Sequence, residues 1–119
     1  MIAAISSVDP PIPEEEGGLT LTTERTSGGG RITLAGELDL SGAGDLDRAL
    51  LELQASVPRI VVDLAGLRFI DSTGLRTLIQ AHVRAEREGQ ELVLVPGPDS
   101  VQRVFELTRT VDVLRFEPR

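Results

Sequence analysis

The stretch "RIVVDLAGLRFIDSTGLRTLIQAH", Arg59–His82, contains a strand, a junction and the start of a helix. Arg59–Leu64 is an almost continuous apolar run, the pattern of a strand buried on both faces. After Gly74 the period changes. Leu75, Leu78, Ile79, His82 and Val83 fall on one helical face, and Arg76, Gln80, Arg84, Arg87 and Glu88 on the other. Gly89 is a natural helix stop, and "ELVLVP" (Glu91–Pro96) reads as the next strand. Strand, helix, strand in this order predicts a parallel crossover.

Working outward, Thr20–Thr26 and Arg31–Leu38 alternate apolar with polar or small residues, and the glycine-rich Ser27–Gly30 joins them as a hairpin. "DLSGAGDLDRALLELQASVP" then repeats Leu46, Ala49, Leu50 and Leu53 at helical spacing. Ser41 could cap it despite Gly42 and Gly44, Asp39 by itself reads as a turn or cap residue, Asp45 and Asp47 are placed near the positive end, and Pro58 follows the helix. Downstream, Ser100–Leu107 reads as a short helix capped by Ser100, with Val101, Val104 and Phe105 inward, and Val111–Phe116 as a last strand. The sum is one α/β domain over residues 19–119: a mixed four- to five-stranded sheet with about three helices packed on it. Residues 1–18, with three prolines and the acid run Glu14–Glu16, read as a flexible tail.

Composition excludes several chemistries. A chain of 119 residues holds one domain. There is no Cys, so disulfides and thiol catalysis are out. All basic residues are Arg, so no P-loop or Schiff-base lysine exists. The net charge of −7 argues against nucleic acid or an anionic membrane as partner. No apolar run approaches the ~20 residues of a membrane span, and "MIAAISSV" lacks a basic signal region. A cytoplasmic protein is expected.

The junction Asp71-Ser72-Thr73-Gly74 is where chemistry can reside. Asp71 as N-cap, with Ile70 and Leu75 forming a hydrophobic staple, explains it structurally. A hydrolase elbow needs a small residue where Ile70 stands, and its base would be His82, the lone histidine, ~15 Å along the same helix. "DSTG" is one residue longer than the loop of aspartic proteases. A phosphate cradle would have one glycine and an opposing Asp71. Phosphorylation of a hydroxyl in the first helical turn is the remaining reading: it adds a charge of about −1.5 to −2 that the helix end can partly accept.

Two stretches resemble the STAS domain of bacterial anti-sigma factor antagonists: "GELDLSGAGDL" (Gly36–Leu46) and "IVVDLAGLRFIDSTGLRTLI" (Ile60–Ile79). The resemblance covers Leu19 to Phe116 and implies a STAS-like fold. It implies that Ser72 is the serine phosphorylated by an anti-sigma factor that is also a serine kinase, with Thr73 the alternative acceptor. It implies that Asp39, Asp71, Ser72, Thr73 and Gly74 share a partner-binding face. The unphosphorylated chain would bind the anti-sigma factor and free sigma, and a serine phosphatase would reset the cycle. No enzyme activity, metal or cofactor is expected of this chain, since ATP belongs to the kinase; a monomer or weak dimer is expected. A STAS scaffold or small-anion-binding module without a phosphorylation cycle is the alternative. Two departures from the family pattern stand out: no helix follows the last expected strand, and Arg109 occupies a position where glycine is common.

Overall fold

The computed structural model describes residues 18–118. The expected tail therefore lies outside the described residues, Gly18 excepted. The chain forms β1 (Leu19–Thr26), β2 (Gly29–Leu38), α1 (Leu40–Gln54), β3 (Arg59–Ile70), α2 (Ser72–Glu88), β4 (Glu91–Val95) and α3 (Asp99–Leu107). The sheet order is β1-β2-β3-β4. The β1–β2 hairpin is antiparallel, while β2–β3 and β3–β4 are parallel. The mixed sheet and its three helices match the expected architecture at its four-stranded limit.

One face of the sheet carries the core. Ile32, Leu34 and Leu38 of β2, Ile60, Val62 and Leu64 of β3, and Leu92 and Leu94 of β4 join Leu46, Leu50 and Leu53 of α1 and Leu78, Ala81 and Ala85 of α2 in a single buried cluster. Arg31, Thr33, Ala35 and Glu37 alternate with these on β2 and are half-buried. On β3, Asp63 reaches across to Arg31 at 2.7 Å. The reading of Arg59–Leu64 as buried on both faces thus holds for Val61 but gives way at Asp63 to a polar pair.

β3 is longer than its apolar run. Its register against β2 steps between Thr33 and Ala35 and again between Gly36 and Glu37, so β3 carries extra residues around Leu64–Ala65 and at Arg68. Each bulge resets which face a residue takes. Leu64, Leu67 and Ile70 therefore all point inward at spacing three, while Arg68 and Phe69 are both exposed. Alternation alone could not carry the strand past Leu64.

Three helix details differ from expectation. The cap of α1 is Asp39, whose backbone is extended and whose Oδ1 accepts both the Ser41 N–H at 3.0 Å and the Ser41 hydroxyl at 2.8 Å. Ser41 thus donates to the cap instead of forming it. Because α1 starts at Leu40, Asp45 and Asp47 lie beyond its first turn, where the dipole acts; they pair instead with Arg48 (3.0 Å) and Arg84 (3.2 Å). In α3 the capping position is Pro98 and no side chain caps it, so Ser100 is already inside the helix. On α2 the buried face is rotated: Gly74, Leu75, Thr77, Leu78, Ala81 and Ala85 are buried, His82 is half-buried and Val83 is exposed. The alanines let α2 sit close, and the Thr77 hydroxyl is satisfied by the Thr73 carbonyl at 3.0 Å.

The expected last strand is not formed. Val113 and Leu114 N–H groups both bond Thr110 C=O, which coils the segment into a turn. Only a bridge between Leu94 and Phe116 remains of the fifth strand. It is held by Leu94 N–H to Arg115 C=O (2.8 Å) and Glu117 N–H to Leu94 C=O (2.9 Å). Phe116 packs edge-on against buried Phe105, ring centroids 5.1 Å apart.

Candidate functional site

Two consecutive parallel crossovers dictate where Asp39 and Asp71 meet. β2 and β3 run side by side in the same direction, and their ends pair at Leu38 and Ile70. One residue further on, each strand gives way to a helix capped by an aspartate. Asp39 and Asp71 therefore stand at neighbouring strand ends, one strand spacing of roughly 4.8 Å apart in the sheet direction. The Asp71 N–H bonds the Leu38 carbonyl at 3.1 Å, tying the start of α2 to the end of β2.

Asp71 caps α2 as expected. Its Oδ1 accepts the Gly74 N–H at 2.9 Å and its carbonyl accepts the Leu75 N–H at 2.9 Å. Ile70 and Leu75, the two ends of the predicted staple, are both buried in the core. Gly74 is set by close approach: a Cβ there would lie 2.6 Å from Leu38 Cγ and 2.9 Å from the Leu38 carbonyl oxygen.

Ser72 is the first helical residue and is exposed; Thr73 is half-buried. Among the described residues, no hydrogen bond or ion pair engages the Ser72 hydroxyl. It is available to a visiting enzyme, and the Ser72 and Thr73 N–H groups beside it belong to the unpaired set at a helix start. The residue one turn on differs for the two hydroxyls. For Ser72 it is exposed Arg76; for Thr73 it is buried Thr77. His82 sits half-buried further along α2 and does not join Ser72. No cluster of three or more His, Cys, Asp or Glu side chains suited to a metal occurs among the described residues.

Two neighbours were not singled out from the sequence. Leu40, beside Asp39, is 75% exposed, and Phe69, two residues before Asp71, is 49% exposed. The Glu37–Arg68 pair (3.6 Å) belongs to the same two strand ends. Leu40 lies off the stripe that buries Ala43, Leu46, Leu50 and Leu53, which is the signal that marks it. Phe69 becomes visible only once the bulge at Arg68 is known.

The family model described as "Mlab, STAS domain" matches residues 21–115. It places the sheet and its paired helix starts in the STAS class. The anti-sigma-B factor antagonist of Listeria monocytogenes is 31% identical over 87 residues, covering 72% of this chain and 76% of that protein. The chain belongs to the STAS-domain family of anti-sigma factor antagonists. Among solved structures, an anti-sigma factor antagonist from Mycobacterium paratuberculosis superposes with a TM-score of 0.76 at 24% identity, over 86% of this chain and 87% of that one. The Bacillus cell fate determinant SpoIIAA in its phosphorylated form superposes with a TM-score of 0.66 at 19% identity, over 84% and 93%. At these identities the two structures speak for the fold.

Proposed function

We propose that this chain binds an anti-sigma factor with serine-kinase activity through the surface at the ends of β2 and β3, releasing sigma, and that phosphorylation of Ser72 breaks the complex. The observation that carries this is the free, exposed Ser72 hydroxyl at the first position of α2, with Leu40 and Phe69 exposed at the adjoining ends of β2 and β3. Exposed apolar side chains beside polar caps are what a docking surface offers. Asp39, Asp71, Thr73 and Gly74 shape that surface; Asp39 and Asp71 do so by holding the two helix starts.

A phosphate on Ser72 adds a charge of about −1.5 to −2. The unpaired N–H groups and the dipole of α2 stabilise it, so the fold persists. The same charge beside Leu40 and Phe69 has to be desolvated on docking, which opposes the complex. The chain acts as substrate and ligand, the kinase supplies ATP, a serine phosphatase resets Ser72, and the cycle runs in the cytoplasm. SpoIIAA, a phosphorylated structural neighbour, supports this reading.

Intact-mass measurement tests it. Incubation with purified anti-sigma factor kinases and ATP should add one phosphoryl group to the wild type and none to Ser72→Ala. Phosphorylation that persists in Ser72→Ala but disappears in Thr73→Ala reassigns the acceptor. Firm partner binding with no phosphoryl transfer, unaffected by Ser72→Asp, would replace the switch with a scaffold.

A further inference from the structure

Arg76 stands one helical turn beyond Ser72 and is exposed. Residues four apart on a helix are neighbours, with Cβ atoms ~5–6 Å apart. Helical side chains lean toward the N-terminus, so Arg76 leans over Ser72 and not away from it. Arg31, Arg48, Arg59, Arg68, Arg84 and Arg115 each pair with a carboxylate. The Arg76 side chain, like those of Arg87, Arg103 and Arg109, forms no ion pair or hydrogen bond among the described residues. From Ser72 to Ala85 the helix carries no acid that could occupy it.

From this geometry we propose that Arg76 is the clamp for phosphoserine 72: its guanidinium folds back one turn and holds the phosphate against the start of α2. The inference rests on the phosphorylation of Ser72 proposed above. An arginine fork matches phosphate oxygens, and the anion lies on the favourable end of the helix. Phosphorylation then changes two groups in one step, adding an anion at Ser72 and withdrawing a free cation at Arg76. Arg76 is also three residues beyond Thr73, but Thr73 is half-buried where Ser72 is exposed, so the clamp favours the acceptor at 72 by exposure. The other charges where the elements meet are Asp71, whose carboxylate accepts the Gly74 N–H, Asp39, whose carboxylate holds Ser41, and the Glu37–Arg68 pair.

The test is independent of any kinase. Phosphoserine is installed at position 72 during translation, and its second ionisation is followed by phosphorus NMR against pH in the full chain. The wild type should titrate roughly half a unit lower than Arg76→Ala. Arg76→Lys should recover part of the shift, Arg68→Ala should leave it unchanged, and added salt should erase it. Equal midpoints in wild type and Arg76→Ala overturn the clamp, as does a shift that is lost in Arg68→Ala instead. Because the phosphate is supplied chemically complete, a failure here leaves the kinase reading standing. Conversely, a failure of every kinase to modify Ser72 leaves this midpoint difference measurable.

Discussion

Replacing Gly74 by alanine puts the packing at the start of α2 under direct strain. The added methyl would sit 2.6 Å from Leu38 Cγ, 2.9 Å from the Leu38 carbonyl oxygen and 3.1 Å from Leu38 Cδ2. Carbon contacts are comfortable at ~3.5–4.0 Å, so relief needs a shift of roughly 0.5 Å or more. Leu38 is fully buried and cannot swing aside, and its carbonyl is already bonded to the Asp71 N–H. Overpacking of this kind costs about 1–3 kcal/mol. Alanine recovers ~1 kcal/mol through its helix propensity. The net loss is about 0–2 kcal/mol, or up to roughly 30-fold in the folding equilibrium. Gly44→Ala provides the control, since nothing lies within 4 Å of a Cβ at that position in α1. It should gain about 0.5–1 kcal/mol. Urea unfolding followed by circular dichroism reads both, with unchanged slope and opposite shifts in midpoint. If Gly74→Ala gains stability as Gly44→Ala does, close approach is not why glycine stands at position 74.

Other substitutions probe separate parts of the account. Asp71→Ala should lose about 1 kcal/mol in the same unfolding assay, whereas Asp71→Asn keeps a capping oxygen and should lose much less. Arg109 has a positive φ of 62° just past the end of α3, a left-handed position that favours glycine; Arg109→Gly should stabilise by about 0.5–1 kcal/mol in thermal melts. Leu40→Ala and Phe69→Ala should stay within about 0.5 kcal/mol of wild-type stability. Each should nonetheless weaken anti-sigma factor binding roughly tenfold or more by titration calorimetry.

The parallel crossovers were legible because Arg59–Leu64, the α2 stripe and Glu91–Val95 each carry an unbroken hydrophobic period. The Asp71 cap was legible from its spacing to Ile70 and Leu75. Asp39 was harder to place as a cap, because Ser41 has equal capping chemistry and only the end of β2 shows where α1 begins. The rotation of α2 escaped a reading based on large residues, since Ala81 and Ala85 supply the contact face while Val83 points outward. The supposed last strand failed because Val111–Phe116 alternates suggestively, yet Thr110 gathers Val113 and Leu114 into a turn. Phe69 was hidden behind a bulge in β3, which local pattern does not encode. Arg109, noted as a departure in the sequence, is explained by its backbone: the position is left-handed, and an arginine occupies it.

The proposed switch is a phosphate on Ser72 that disconnects this surface from its partner. Titration calorimetry of the anti-sigma factor with the unmodified chain, and with the chain carrying phosphoserine at 72, compares the two states directly. Placing that charge against a docked surface costs several kcal/mol, so the affinity should fall by about 100-fold or more, with the fold intact by circular dichroism. Equal affinity of both forms would contradict it.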